Sequence, residues 1–210
     1  MDVNLSEEEQ VEELKKWWKE NGKSVIAGIV LGLGGVFGWQ YWTQHEKGIA
    51  EQASFQFEQL RNSVSANASE VAIKQAEGLI SEHKESTYAT FAALNLAKVK
   101  LQLGENKAAR EQLQWAIDNT DDDSLKQIAR LRLGRLMLSD GDVDSAATII
   151  AQATVDSFQG DFSELRGDIA LSKGDKAAAR QAYQEALAQK ASNPVMVQMK
   201  FDDLAANANP

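Results

Sequence analysis

No charged residue lies between Lys23 and Glu46. The core of that interval, Ser24 to Trp42, reads SVIAGIVLGLGGVFGWQYW. A helix of this length spans about 28 Å at ~1.5 Å per residue, close to the hydrocarbon thickness of a bilayer. No other stretch is comparably apolar, and the mean hydropathy of the chain is −0.38. One membrane anchor therefore carries an otherwise polar chain. It sets three divisions: a head over 1–23, a transmembrane helix over 24–42 and a long domain over 43–210.

The head begins with a capping-box pattern, in which Ser6 caps a helix and Glu9 reaches back to it. Val11, Leu14 and Trp18 then recur at helical spacing, and Lys15, Lys16, Lys19 and Lys23 gather before the anchor. Two readings stand. One is an interfacial helix with Trp17 and Trp18 at headgroup level, and the other is a docking helix for a cytosolic partner. After the anchor only Lys47 and Arg61 follow within roughly 20 residues. The positive-inside rule then keeps the head in the cytoplasm and exports the large domain, which in a bacterium means the periplasm.

A signal peptide has an apolar region of ~7–15 residues and a small-residue cleavage site. Here the run is longer and ends in Trp39, Tyr41 and Trp42, so an uncleaved anchor is expected, with Trp39 and Trp42 at the far interface. Gly28, Gly32 and Gly35 share one helix face, which admits close approach by another membrane helix. Glycine is also common in membrane helices generally, so the face has an ordinary reading beside the functional one.

From Glu46 the periodicity becomes that of successive amphipathic helices. Ala53, Phe57, Leu60 and Val64 form one stripe, and Ala72, Ala76 and Leu79 another. SANAS at 65–69 and HKEST at 83–87 read as breaks. A repeat follows, visible when Gly104, Gly141 and Gly174 are aligned. The same offsets then match Ala97 with Gly134 and Gly167, Ala109 with Ala146 and Ala179, Leu113 with Ile150 and Tyr183, and Ala116 with Ala153 and Ala186. Small residues let two antiparallel helices cross closely, and glycine ends the first helix in a left-handed turn without a Cβ clash.

This pattern resembles the tetratricopeptide repeat, whose period is 34 residues. The predicted fold is all-α: an N-terminal transmembrane helix, then a helical-repeat solenoid. Repeats are expected over about 46–83, 88–120, 124–157 and 160–190, with a capping helix over 193–206 in which Val197, Phe201 and Leu204 close the core. The family's Trp near the start of the first helix and its Pro at the repeat end are both missing, so the repeats are divergent.

The chain has no cysteine and only His45 and His83, far apart in sequence. That excludes thiol chemistry and leaves no basis for a histidine metal site. No phosphate loop, dinucleotide fingerprint or nucleophile elbow is present, so no cofactor and no enzyme activity are expected. Asp121, Asp122 and Asp123 lack EF-hand spacing and read as a solvated loop. The exported domain carries more Asp and Glu than Lys and Arg, which argues against nucleic acid.

What a repeat array offers is a groove. On the tetratricopeptide alignment its positions are Phe91, Leu94, Lys98 and Leu101, then Ile128, Leu131, Arg135 and Leu138, then Asp168 and Leu171. Several of these aliphatic residues read equally as core within a repeat. Leu94 and Lys98 stand where some family members clamp a C-terminal carboxylate with Lys and Asn, so an amphipathic helix or an unfolded apolar segment fits better.

The block from Gln10 to Trp42, QVEELKKWWKENGKSVIAGIVLGLGGVFGWQYW, is similar to the head and anchor of the YfgM family of gamma-proteobacteria, and IALSKGDKAAARQAYQEALA from Ile169 resembles that family's last repeat. The resemblance covers essentially the whole chain. It implies an inner-membrane protein with a periplasmic tetratricopeptide-like domain. It also implies an ancillary, non-enzymatic subunit of the SecYEG translocon that partners the chaperone PpiD and assists newly exported polypeptides. The competing expectation is a scaffold for envelope assembly or division complexes without client contact.

Overall fold

The computed structural model describes residues 7–153 and 158–206. All regular structure among them is helical: α1 (Glu7–Ser65), α2 (Ser69–Glu82), α3 (Thr87–Gln102), α4 (Asn106–Asn119), α5 (Asp123–Ser139), α6 (Val143–Ile150), α7 (Gln159–Ser172), α8 (Lys176–Ala188) and α9 (Pro194–Ala206). The chain divides into two compact units, one reaching Glu51 and one beginning at Gln52. Ser6 and the Glu9 side chain, the expected capping box, lie outside the described residues.

In the first unit α1 exposes apolar side chains on all sides, among them Ile26, Val30, Leu31, Leu33, Phe37 and Trp39. Among the described residues this is the one helix long and apolar enough to cross a membrane. A helix that is apolar all round has no face to give to water, so it needs an apolar medium or a partner. Trp17 and Trp18 at one end and Trp39 and Trp42 at the other are all exposed. Trp18 and Trp39 stand about 32 Å apart along the axis at ~1.5 Å per residue, the separation of two aromatic belts across a bilayer. The Trp18 ring lies flat on Gly22, where an added Cβ would stand 3.2 Å from it. Gly28, Gly32 and Gly35 have nothing packed on them, and Leu31, Val36 and Trp39 flank Gly32 and Gly35 to form a shallow notch.

In the second unit helices pair as hairpins. Each of the three aligned glycines closes one, with φ of +77° at Gly104, +81° at Gly141 and +82° at Gly174. In each turn the glycine N–H donates to the carbonyl three residues back, and the next N–H to the carbonyl five back. The pairs are Gly104 to Leu101 with Glu105 to Lys100, Gly141 to Leu138 with Asp142 to Met137, and Gly174 to Leu171 with Asp175 to Ala170, at 2.9–3.0 Å. These bonds satisfy carbonyls that a helix end otherwise leaves open. Asn67 and Lys190 make the same turn at φ 55° and 58° without glycine. A lysine there carries a left-handed strain of ~1 kcal/mol, so Lys190→Gly should raise Tm by about 2–4 °C in a thermal melt. An unchanged or lower Tm would show that the strain is absent.

The crossing positions pack as the repeat predicts, except Ala153, which lies past the end of α6 and is only half-buried because that helix stops at Ile150. Ala109, Ala146 and Ala179 are fully buried, as are Ala116 and Ala186. Ile150 and Tyr183 face Gly134 and Gly167 across their hairpins, and Leu113 shares one core cluster with Ala97. An added Cβ at Gly134 would reach Ile150 at 2.9 Å, and at Gly167 the Tyr183 ring at 2.3 Å. The apolar core falls into three successive clusters. Leu60, Ala76, Leu79 and Leu96 centre the first, Leu113, Leu133, Ile150, Phe162 and Leu165 the second, and Tyr183, Val197 and Leu204 the third. Polar staples run between repeats: Arg110 of α4 pairs with Asp140 at 2.7 Å and Asp142 at 3.0 Å, and Lys173 with Asp144 at 2.7 Å. Of the acidic run at 121–123, Asp122 caps α5 by accepting from the Leu125 N–H at 3.0 Å.

Candidate functional site

The first helix of each hairpin presents residues to a groove, because positions three and four apart share a helix face. Two cavities lie along it. The first, about 560 Å³, lies among α3, α4 and α5, and Leu94, Leu101, Leu113 and Leu136 form its apolar walls. Lys98, Arg132 and Arg135 bring cations to it, and no carboxylate lines it. The second, about 650 Å³, lies among α5, α7 and α9 and carries more polar and charged side chains than the first, beside Leu138 and Leu165. Asp161, Glu164 and Asp168 meet Arg135 and Lys200 there. Arg135 and Ser139 line both cavities, so α5 is the ridge between them.

The second cavity is held by a charge network. Lys200 Nζ lies 2.7 Å from Glu164 Oε1 and 2.8 Å from Asp168 Oδ2, and Arg135 lies 3.2 Å from Glu164. Tyr183 Oη donates to Asp168 at 2.8 Å, and Ser192 Oγ to Asp161 at 2.8 Å. Burial works against the Lys200 ammonium, but its hydrogen bonds to Asp168 and Glu164 and their charge outweigh it, so its pKa stands above the ordinary 10.5. Burial, the bond to Asp168 and the nearby carboxylates together push the Tyr183 phenol well above its ordinary 10.0. The acidic face of α7 is thus neutralised from both sides, and α9 is latched onto α7.

Of the expected groove residues, Leu94, Lys98, Leu101 and Arg135 meet in the first cavity, and Leu138 and Asp168 join Arg135 in the second. Phe91 turns into an aromatic cluster instead, 5.5 Å from the Phe57 ring and 6.4 Å from that of Tyr88. Leu131 is buried in the second core cluster and Ile128 packs on it. Leu171 is exposed and lines neither cavity. Two residues enter without a forecast. Arg132 shares a face with Arg135 at three-residue spacing, a signal present in the sequence. Lys200 is the only basic residue of α9, and nothing local marks its partners. Among the described residues no group of three or more His, Asp or Glu is placed to hold a metal ion.

Comparison with known proteins agrees with this architecture. A tetratricopeptide repeat-like domain family matches residues 15–206. The chain is 36% identical over 208 residues to a Haemophilus influenzae protein named ancillary SecYEG translocon subunit, covering 97% of this chain and 100% of that one. It is 32% identical to the Escherichia coli protein of the same name, over 98% of this chain and 100% of that one. Among solved structures, Pseudomonas aeruginosa pilF superposes with a TM-score of 0.63 at 17% identity, covering 76% of this chain and 70% of that chain. At that identity the likeness concerns the fold alone.

Proposed function

We propose a function from one premise: the chain belongs to the family of ancillary SecYEG translocon subunits, with a tetratricopeptide repeat-like domain. On this reading it is a non-enzymatic accessory subunit held beside SecYEG in the bacterial inner membrane. Residues 24–42 cross the bilayer, the lysines before them keep residues 1–23 in the cytoplasm, and the domain from residue 43 works in the periplasm. The notch at Gly32 and Gly35 offers a close seat for a neighbouring membrane helix. The resemblance of the anchor block to the YfgM family adds PpiD as a partner. The groove then receives a segment of PpiD or of an exported polypeptide.

The observation that carries the groove reading is the first cavity. It is walled by leucines and open, and no residue of α9 lines it. Tethering makes such a site useful. A groove that binds weakly in free solution works at a high effective concentration when it is anchored where its ligand emerges.

Site-specific photo-crosslinking in native membranes tests the proposal. Probes at Leu101 and Leu138 should capture PpiD or exported chains, and a probe at Leu31, beside the notch, should capture a translocon membrane subunit. A probe at Glu111, exposed on α4, is the control. Capture of these partners from Glu111 but not from Leu101 or Leu138 would remove the groove from the proposal.

A further inference from the structure

The first cavity has a charge pattern that its own surroundings leave unanswered. The chain carries 31 Asp and Glu against 22 Lys and Arg. Even so, this apolar cavity gathers three bases and no acid. Arg135 is engaged by Glu164 at 3.2 Å. Arg132 has no acid beside it among the described residues: its head reaches solvent, its stem lies along the apolar wall, and the charged group that acts on it is another cation, Arg135. Partial burial of its stem side and the charge of Arg135 lower its pKa from the ordinary value. Lys98, one helix across on α3, forms no ion pair with an acid among the described residues. Arg132 and Lys98 are both exposed, so water solvates them in the free protein and their charge stays open to an anion that a partner brings.

We propose that this cavity docks an amphipathic helix of a partner protein, with its aliphatic side chains between Leu94, Leu101 and Leu136 and a carboxylate from its flank against Arg132 and Lys98. The inference rests on the groove reading above and names the chemistry of its ligand. Charge complementarity argues for the acid, and the leucine walls for the aliphatic residues. A helix presents both in register, because residues three and four apart share a face. An anionic bilayer offers the charge without side chains held at that spacing.

The test uses the full chain in phosphatidylcholine nanodiscs, with empty nanodiscs subtracted, and two labelled peptides of about five helical turns. Both carry leucine at helical spacing. One has glutamate beside the leucine face, and the other has glutamine there. By fluorescence anisotropy the glutamate peptide should bind about tenfold tighter at low salt, and the advantage should shrink as salt rises. Arg132→Gln should weaken the glutamate peptide about fivefold and leave the glutamine peptide unchanged, while Arg132→Lys keeps most of the difference. Arg132 is exposed, so these variants should retain the parental thermal melt. Equal affinity for the two peptides would overturn the acidic ligand and leave the groove reading standing. Binding by neither peptide would overturn both. Displacement of the glutamate peptide by phosphatidylglycerol vesicles would assign the cations to the membrane and overturn the proposal.

Discussion

Gly167→Ala should destabilise the repeat domain by about 3 kcal/mol, read as a fall of roughly 6–12 °C in Tm. The new methyl would stand 2.3 Å from the Tyr183 ring. That ring is fully buried and cannot swing aside without leaving its core cluster or its bond to Asp168. In an open helix the same change would gain ~1 kcal/mol of helix propensity, so the sign of the result reports the crossing rather than the helix. The other repeats supply the rescue. Where Gly167 faces Tyr183, the matching repeat positions in α3 and α4 are Ala97 and Leu113, which share one core cluster. Gly167→Ala combined with Tyr183→Leu rebuilds the α3–α4 crossing inside α7–α8, and should recover about half of the loss. The lost phenol–Asp168 bond accounts for the remainder. A double variant no more stable than the sum of its parts would show that the two positions are uncoupled.

The second large effect is expected at Lys200. Lys200→Met keeps the stem but removes the cation between Glu164 and Asp168, whose side chains are 9% and 25% exposed. Breaking a fully buried pair costs about 3–5 kcal/mol. Because Lys200 is itself 29% exposed and Arg135 still serves Glu164, about 2 kcal/mol is expected, as a drop in Tm and faster proteolysis near α9. The pH dependence carries the same signature. Lys200 is folded with a raised pKa, so its contribution is complete below its unfolded value near 10.5 and is lost as pH rises through the folded value. Tyr183 has the same sign from 10.0 upward. The parent should therefore lose stability above pH 10, and Lys200→Met should show a shallower loss over that range. Parallel curves for the two proteins would detach the latch from alkaline unfolding.

The features that the sequence made legible are those set by local chemistry. A left-handed turn demands glycine, so Gly104, Gly141 and Gly174 announce the hairpins, and fixed offsets from them find the crossing residues. Asn67 makes the same turn within SANAS, which reads as a break, and asparagine tolerates the left-handed region; Lys190 makes it with a side chain that tolerates it poorly, and no local pattern marks it. Groove positions were harder to separate from core. An aliphatic residue on the first helix of a hairpin serves the groove or the next repeat according to a rotation of a few tens of degrees, too small for spacing to reveal. Leu94 does both, Leu131 only the second, and Leu101 only the first. Asp168 was legible as a groove position but its counterion was not, because Lys200 lies 32 positions away and belongs to a helix whose sequence suggested only an apolar cap.

The three core clusters follow one another along the chain, and each hairpin closes on neighbours within a few dozen residues. Such a chain has low contact order, so its early repeats gain most of their burial before the later ones exist. A domain delivered end-first, from a ribosome or through a pore, could therefore fold in the order of its arrival. The Lys200 latch is the exception, since it forms only when the last helix reaches α7. It works as a completion mark: a truncated or stalled chain would carry the early repeats in place, the acids of α7 bare and the final hairpin loose.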